Sequence, residues 1–419
     1  MRFQNYKMQQ ITHWDILLRN QVAKKEFINK ILESRVNGEL EAFNTKKGIL
    51  FSDLAIEQFI EKEYQYDSVE AAPETHRQLR TFSSGERKKA FLKFCINQNP
   101  DFIILDNPMD HLDQNSRKEL QIQLEELGKK VALIQLVNRT ADLLPFIRNK
   151  RQITDNLFVF TDLNIISTAQ PFFLKPVPKP ISTIEYSDSI LVQMNNLKVS
   201  YNEKPILNNI NWTIKKGEFW QLIGPNGSGK STILSLITGD NPKGYGQDLY
   251  LFGKKKGSGE SIWDIKKNIG QFSTAMMDLF QKNHTVEQMI LSGFFDSIGL
   301  YIQPSTLQVK LMHEWLDFLN MNHLKKTAFI NLSVGQQRLI MIVRAVLKHP
   351  PLLILDEPTE GLDDENVALV TQLISHLAKE TNIAIIFVSH RIEALLAPNL
   401  ILELTPQAMG SQGKIKIQN

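Results

Sequence analysis

The sequence predicts an α/β protein built from two tandem copies of one mainly parallel-sheet domain, and three observations predict it. Residues 82–113 overlay residues 332–363 without a gap, an offset of 250. Both stretches carry a Ser-x-Gly turn opening a helix, a proline that ends the connection (Pro100, Pro350), an apolar run ending in Asp, then Pro and Leu-Asp. A repeat on this scale means two copies of a domain rather than a solenoid of short units. Short apolar runs at 219–223, 352–355 and 383–388 alternate with amphipathic helical patterns, as in a buried parallel sheet covered by helices. Between the copies, residues 167–189 hold Pro171, Pro176, Pro178 and Pro180, too dense for helix or sheet and suited to an extended tether. The expected domains are therefore 1–166 and 190–419, with a Pro-rich linker at 167–189.

Composition agrees with this division. A chain of 419 residues allows two or three domains. A content of 42% hydrophobic and 22% charged residues is that of an ordinary compact protein. The 48 Lys and Arg against 45 Asp and Glu leave a net charge of +3, which gives no electrostatic reason for broad nucleic-acid binding. The single cysteine, Cys95, has no intrachain disulfide partner and reads as a small core residue. No apolar run approaches the ~18–20 residues of a membrane span, and residues 1–7 lack the apolar region of a signal peptide. A cytoplasmic location is expected, with any membrane process served from the side.

In the second copy the strand 220–223 runs into Gly224-Pro225-Asn226-Gly227-Ser228-Gly229-Lys230-Ser231-Thr232, followed by an apolar helical stretch at 233–237. This is the G-x-x-x-x-G-K-[ST] phosphate loop in its strand, loop and helix context. The glycines let backbone N–H groups turn inward around an anion, the helix N-terminus adds a positive dipole end, and Lys230 brings a point charge to the outer phosphates. Ser231 is placed to ligate Mg²⁺. Residues 285–330 look mostly helical. The run 352–355 then delivers Asp356 toward the metal and Glu357 as general base for the attacking water. The next strand delivers His390, which can contact the γ-phosphate and help to hold the water.

With these motifs in place the chain resembles the ABC (ATP-binding cassette) ATPases. Their LSGGQ motif appears as Leu332-Ser333-Val334-Gly335-Gln336 and, more loosely, as Phe82-Ser83-Ser84-Gly85-Glu86. The resemblance covers nearly the whole chain and implies P-loop NTPase (RecA-like) cassettes with helical subdomains, binding ATP and Mg²⁺. It also implies head-to-tail pairing, in which the phosphate loop of one cassette and the LSGGQ helix of the other hold one nucleotide. Tyr201 lies where the family stacks an aromatic ring on adenine; a strand tyrosine packed on the core is the alternative.

The first copy reads as truncated and degenerate. Residues 14–27 overlay 220–233, an offset of 206, which puts Lys24 on Lys230 while none of the three glycines has a counterpart. Lys24 alone reads as a solvated helix residue. Asn107 stands for Glu357 and Asn138 for His390, and neither amide is a general base. Lys24 to Ser83 spans 59 residues against 103 from Lys230 to Ser333, so about 44 residues of the intervening subdomain are missing. One competent site is expected, from the second copy's loop, Asp356, Glu357 and His390, closed by Ser83, Ser84, Gly85 and Glu86. Ser333, Gly335 and Gln336 would face the decayed loop.

The second copy departs from the family pattern at one point. The glutamine that watches the metal and water is missing, with Thr274 near its position and Gln271 too early. The stretch 294–301 could be an aromatic docking patch or core. The tandem arrangement is most similar to molybdate-transport ATP-binding or photorepair-type proteins, which implies an energy-supplying subunit for a membrane permease. The alternatives are a soluble ABC protein acting on ribosomes or nucleic acid, against which the short Pro-rich joint argues, and a switch that closes on ATP without turnover.

Overall fold

The computed structural model describes residues 11–20, 22–66, 77–163, 172–181, 189–280, 283–391, 393 and 395–418. Residues 1–7, and within the linker residues 167–171 and 182–188, lie outside these. The chain divides into two compact units, Met1–Ile166 and Ser167–Asn419.

In the first unit β1 (Trp14–Leu18) leads to α1 (Lys24–Leu32) and β2 (Gly48–Phe51) to α2 (Asp53–Tyr66). Then come α3 (Ser84–Asn97), β3 (Phe102–Asp106), α4 (Gln114–Gly128), β4 (Ala132–Val137), β5 (Asn149–Ile153) and β6 (Thr161–Asp162). They form one sheet in the order β2-β3-β4-β1-β5-β6, parallel except for β6. The alternation of side chains along β3 sorts its residues between two cores. Phe102 and Ile104 pack with Phe27 and Ile31 of α1, whereas Ile103 and Leu105 pack with Phe91 and Leu92 of α3 and Leu120 and Leu124 of α4. Cys95 of α3 is fully buried in the latter core, where desolvation pushes its thiol up to about 12.

The second unit opens with the long hairpin β7 (Ile190–Tyr201) and β8 (Lys204–Lys215). It continues through β9 (Phe219–Ile223), α5 (Lys230–Ile237), β10 (Leu249–Leu251), β11 (Lys254–Lys255), α6 (Ile262–Lys266) and β12 (Ile269–Ser273). Next are α7 (Val286–Leu291), α8 (Thr306–Phe318), α9 (Val334–Val346), β13 (Leu352–Asp356) and α10 (Asp364–Glu380). The last strands are β14 (Ala384–Val388), β15 (Leu400–Thr405) and β16 (Gln412–Ile417). Strands β11-β10-β7-β8 form an antiparallel sheet, and β12-β13-β14-β9-β15-β16 a second, mainly parallel one. This order repeats that of the first unit strand for strand. Leu353, Leu355, Ile385 and Phe387 face the helical layer of α7 to α10, while Leu352, Ile354, Ile386 and Val388 face α5 and the antiparallel sheet.

The deficit of about 44 residues falls in two stretches. Lys24 to Asp53 spans 29 residues against 44 from Lys230 to Thr274, and Asp53 to Ser83 spans 30 against 59 from Thr274 to Ser333. The first deficit matches β10, β11 and α6; the second falls where the second unit has α7 and α8. The Pro-rich segment, expected as an extended tether, is also anchored by its apolar residues. Residues 172–181 take neither helix nor strand form, yet Phe173 and Val177 are buried. Phe173 stacks on Phe318 with ring centroids 5.0 Å apart, and the N–H groups of Phe172 and Val177 donate to Gln372 (2.9 Å) and Glu380 (2.8 Å). The prolines forbid regular structure, but the apolar residues among them supply anchors on α8 and α10. The stretch 294–301 splits: Phe294 packs on the core, whereas Ile298 and Tyr301 are exposed. Among the described residues no helix is long and apolar enough to cross a membrane.

Candidate functional site

The candidate site of the second unit lies at the C-terminal ends of β9, β13 and β14, where a parallel α/β sheet presents its loops. β9 ends at Ile223, the loop 224–229 follows, and α5 starts at Lys230. Gly229 caps α5 with φ 92°, in the left-handed region, and a Cβ there would stand 2.6 Å from Leu207 Cδ2. Only glycine meets both demands, and the result is a backbone cradle open to an anion at a helix N-terminus. Ser228 is fully buried, and its hydroxyl has no hydrogen-bond partner among the described residues. The Lys230 ammonium folds back to donate to the carbonyls of Gly224 (2.7 Å) and Pro225 (3.2 Å).

The two carboxylates are held above their ordinary pKa values. Burial raises the pKa of Asp356 against the opposing pull of Lys230. Glu357 is pushed up to about 8, first by burial and then by the charges of Glu360 and Asp356. A divalent cation beside Asp356 would reverse that repulsion, so the donor set of Ser231 and Asp356 fits a hard, oxygen-preferring ion. His390 Nε2 stands 3.3 Å from Glu357 Oε1, with both side chains mostly shielded from solvent. Tyr201 is 40% exposed at the end of β7, so it is no core residue, and its hydroxyl accepts from Asn241 at 2.7 Å.

Anchored on the sequence match of Asp106 with Asp356, strand register extends the alignment of the two units to the neighbouring strands. Trp14 pairs with Ile134 and Trp220 with Ile386, while Asp106 pairs with Leu136 and Asp356 with Val388. Trp14 therefore corresponds to Trp220 and Asn138 to His390. Lys24 is the first residue of α1 as Lys230 is of α5. It is not a solvated surface lysine: its ammonium lies 2.6 Å from Asp106, the counterpart of Asp356. Asn107 Oδ1 accepts from the Asn138 N–H (3.2 Å), and the Asn138 amide donates to Asn20 (3.1 Å). The decayed site thus links Lys24 to Asp106 by an ion pair and Asn107, Asn138 and Asn20 by hydrogen bonds. Both numerical offsets put Lys24 and Asp106 on their counterparts, so the sequence held a signal for this pair.

Ser83 and Ser333 each form a reciprocal capping box, with Glu86 and Gln336 respectively. The Glu86 carboxylate accepts from both the N–H and the hydroxyl of Ser83 at 2.8 Å, which lowers its pKa. A Cβ on Gly335 would collide with the Asn366 side chain of α10, and one on Gly85 would stand 3.1 Å from Ser116 Oγ of α4. Ser84 follows the first cap, as Val334 follows the second. Gln271 lies within β12, paired to Ile354, and Thr274 lies just beyond the end of that strand.

Comparison with known proteins fits this geometry. The family model described as ABC transporter matches residues 207–360. The ABC transporter ATP-binding protein ModF of Escherichia coli is 42% identical over 335 residues, 76% of this chain and 68% of its own length. The chain belongs to the ABC ATPases. Within that family it is a tandem-cassette ATPase that binds and hydrolyses ATP. An uncharacterized ABC transporter ATP-binding protein of Schizosaccharomyces pombe is 31% identical over 330 residues, 76% of this chain and 67% of its own length. The solved complex of archaeal ribosomal stalk protein aP1 with archaeal ribosome recycling factor aABCE1 matches with a TM-score of 0.61 at 17% identity. That match covers 96% of this chain and 85% of the solved one, and it speaks for the tandem fold alone.

Proposed function

We propose that this ABC ATPase is the energy-converting subunit of a transport system and hydrolyses ATP at one site, in the second unit. Residues 224–229 and Lys230 bind the phosphates, Ser231, with Thr232 beside it, begins the helix that faces them, and Tyr201 takes the adenine. Ser231 and Asp356 hold Mg²⁺, which when bound draws charge off the phosphate oxygens. Glu357 accepts a proton from the attacking water and His390 contacts the γ-phosphate. Ser83, Ser84, Gly85 and Glu86 at the N-terminus of α3 are assigned to nucleotide binding from the family resemblance. Ser333, Gly335 and Gln336 serve the decayed counterpart.

The observation that supports this reading is the contrast at matched register positions: Glu357 and His390 in one unit, Asn107 and Asn138 in the other. The transport role is supported by the likeness to ModF, and the reading includes a permease partner and a position at the cytoplasmic face of its membrane. Glu357→Gln is expected to keep ATP binding and lose hydrolysis, and Asn107→Asp to leave turnover near the wild-type rate. Unchanged hydrolysis in Glu357→Gln sinks the site assignment. Co-purification of the tagged chain from cells tests the role, expected to yield an integral-membrane partner; recovery with ribosomes instead would overturn it.

A further inference from the structure

A buried guanidinium connects the LSGGQ-bearing helix of the second unit to the loop that carries Glu357. Arg338 of α9 is 3% exposed. One arm donates to Thr274 Oγ1 at 3.1 Å and the other to the Glu360 carbonyl at 3.0 Å. Burial lowers its pKa only to about 10, so it stays a cation at neutral pH. Thr274 in turn donates to the backbone carbonyl of Glu357 at 3.1 Å. The polarity of this chain of bonds is forced. Arginine has donors only, so Arg338 occupies a lone pair of the Thr274 hydroxyl and leaves its single proton for the Glu357 carbonyl.

Residue 357 needs such support. Its φ of 53° lies in the left-handed region, which a non-glycine residue occupies at a cost and only when its surroundings hold it there. The Glu357 N–H is held by the Val388 carbonyl at 3.0 Å, and the Glu357 carbonyl is the other handle. With both fixed, the direction of the side chain from the backbone is fixed as well.

The first unit supplies an internal comparison. Gly48 pairs with Phe102 as Ile269 pairs with Leu352, so Asp53 corresponds to Thr274, and the offset of 250 puts Lys88 on Arg338. Lys88 holds the carbonyls of Asp110 (2.8 Å) and Pro108 (3.2 Å) and pairs with Asp53 at 3.0 Å. The loop keeps its shape there, with Asn107 at φ 43°. Asp53 accepts from Lys88 and has no hydroxyl to offer the Asn107 carbonyl. The hydroxyl link therefore distinguishes the unit with the glutamate from the unit without it.

We propose that Arg338 and Thr274 are positioning residues that fix the Glu357 backbone for hydrolysis, Thr274 acting as a hydrogen-bond relay and not as a ligand of metal or nucleotide. The proposal rests on Glu357 being the general base. Steady-state hydrolysis by the full chain tests it through the division of the effect between kcat and KM. Thr274→Val is expected to lower kcat roughly tenfold with KM for ATP changed by less than about twofold, because a misplaced base slows the chemical step without touching bound substrate. Thr274→Ser, which restores the hydroxyl, is expected to recover most of the turnover. Arg338→Met is expected to match Thr274→Val, with the double variant no slower than the slower single one, since both cut one path. Wild-type kcat in Thr274→Val, a Ser variant as slow as the Val variant, or a raised KM at unchanged kcat would each overturn the relay. Glu357→Gln run beside them separates the two readings: if it keeps turnover, the base assignment fails and the relay with it; if it is inactive, the Thr274 variants alone decide.

Discussion

Asp15, in the middle of β1, is fully buried, and desolvation raises its carboxyl from 3.8 to about 7 despite a hydrogen bond from the Leu144 N–H and the charge of Lys150. Its register partner on β4 is Gln135, and Asp15 Oδ1 and Gln135 Oε1 are both buried acceptors without a partner among the described residues. A proton on Asp15 Oδ1 turns one of two neighbouring acceptors into a donor. Because the folded state holds this proton to a higher pH than the unfolded chain does, its contribution is complete below pH 3.8 and is lost as pH rises through about 7. The whole window is worth roughly 4 kcal/mol at most. Asp15→Asn keeps an acceptor for Leu144 and adds a donor for Gln135. Denaturant unfolding at pH 5 and pH 8 should show the wild type less stable at the higher pH and the variant flatter and more stable at pH 8. A wild-type slope that survives the substitution would assign the titration to another group. None of this was legible in the sequence, where Asp15 is one polar residue in an apolar strand and its burial depends on strands far along the chain.

At the scale of elements, the strand, loop and helix around Lys230 were legible because the loop must follow a strand and open a helix for its chemistry to work. The two helix starts were visible as Ser-x-Gly turns, and the structure adds the reciprocal capping boxes at Ser83 and Ser333. The close approach of α9 to α10 was not: Gly335 is required there by Asn366, which follows it by 31 residues. Gly335→Ala must push α9 away from α10, and a destabilisation of about 1–3 kcal/mol is expected from overpacking at such a contact. Gly85→Ala, opposite the smaller Ser116, should be milder. Thermal melts of the two variants check the ranking, and the reverse order would remove the packing argument. The Pro-rich segment shows the limit of local reading: proline spacing excludes helix and sheet, but the stacking of Phe173 on Phe318 is a tertiary fact.

Across the whole molecule, two sheets with the same strand order carry unequal chemistry. The repeat offsets announced the duplication, and register then matched Lys24, Asp106, Asn107 and Asn138 to Lys230, Asp356, Glu357 and His390. What the sequence left open was the state of the decayed site, since a lone Lys24 reads as surface until its ion pair with Asp106 is seen. That pair and the asparagine chain beside it tie the decayed site together, whereas in the second unit Glu357 and His390 stand where the asparagines would be. The account therefore predicts one nucleotide per chain. The most direct measurement is the count of Mg·ATP bound per chain at saturation, for the wild type, Lys230→Ala and Lys24→Ala. One ATP in the wild type, none in Lys230→Ala and one in Lys24→Ala is the predicted result; two per chain, or binding that survives Lys230→Ala, would contradict it.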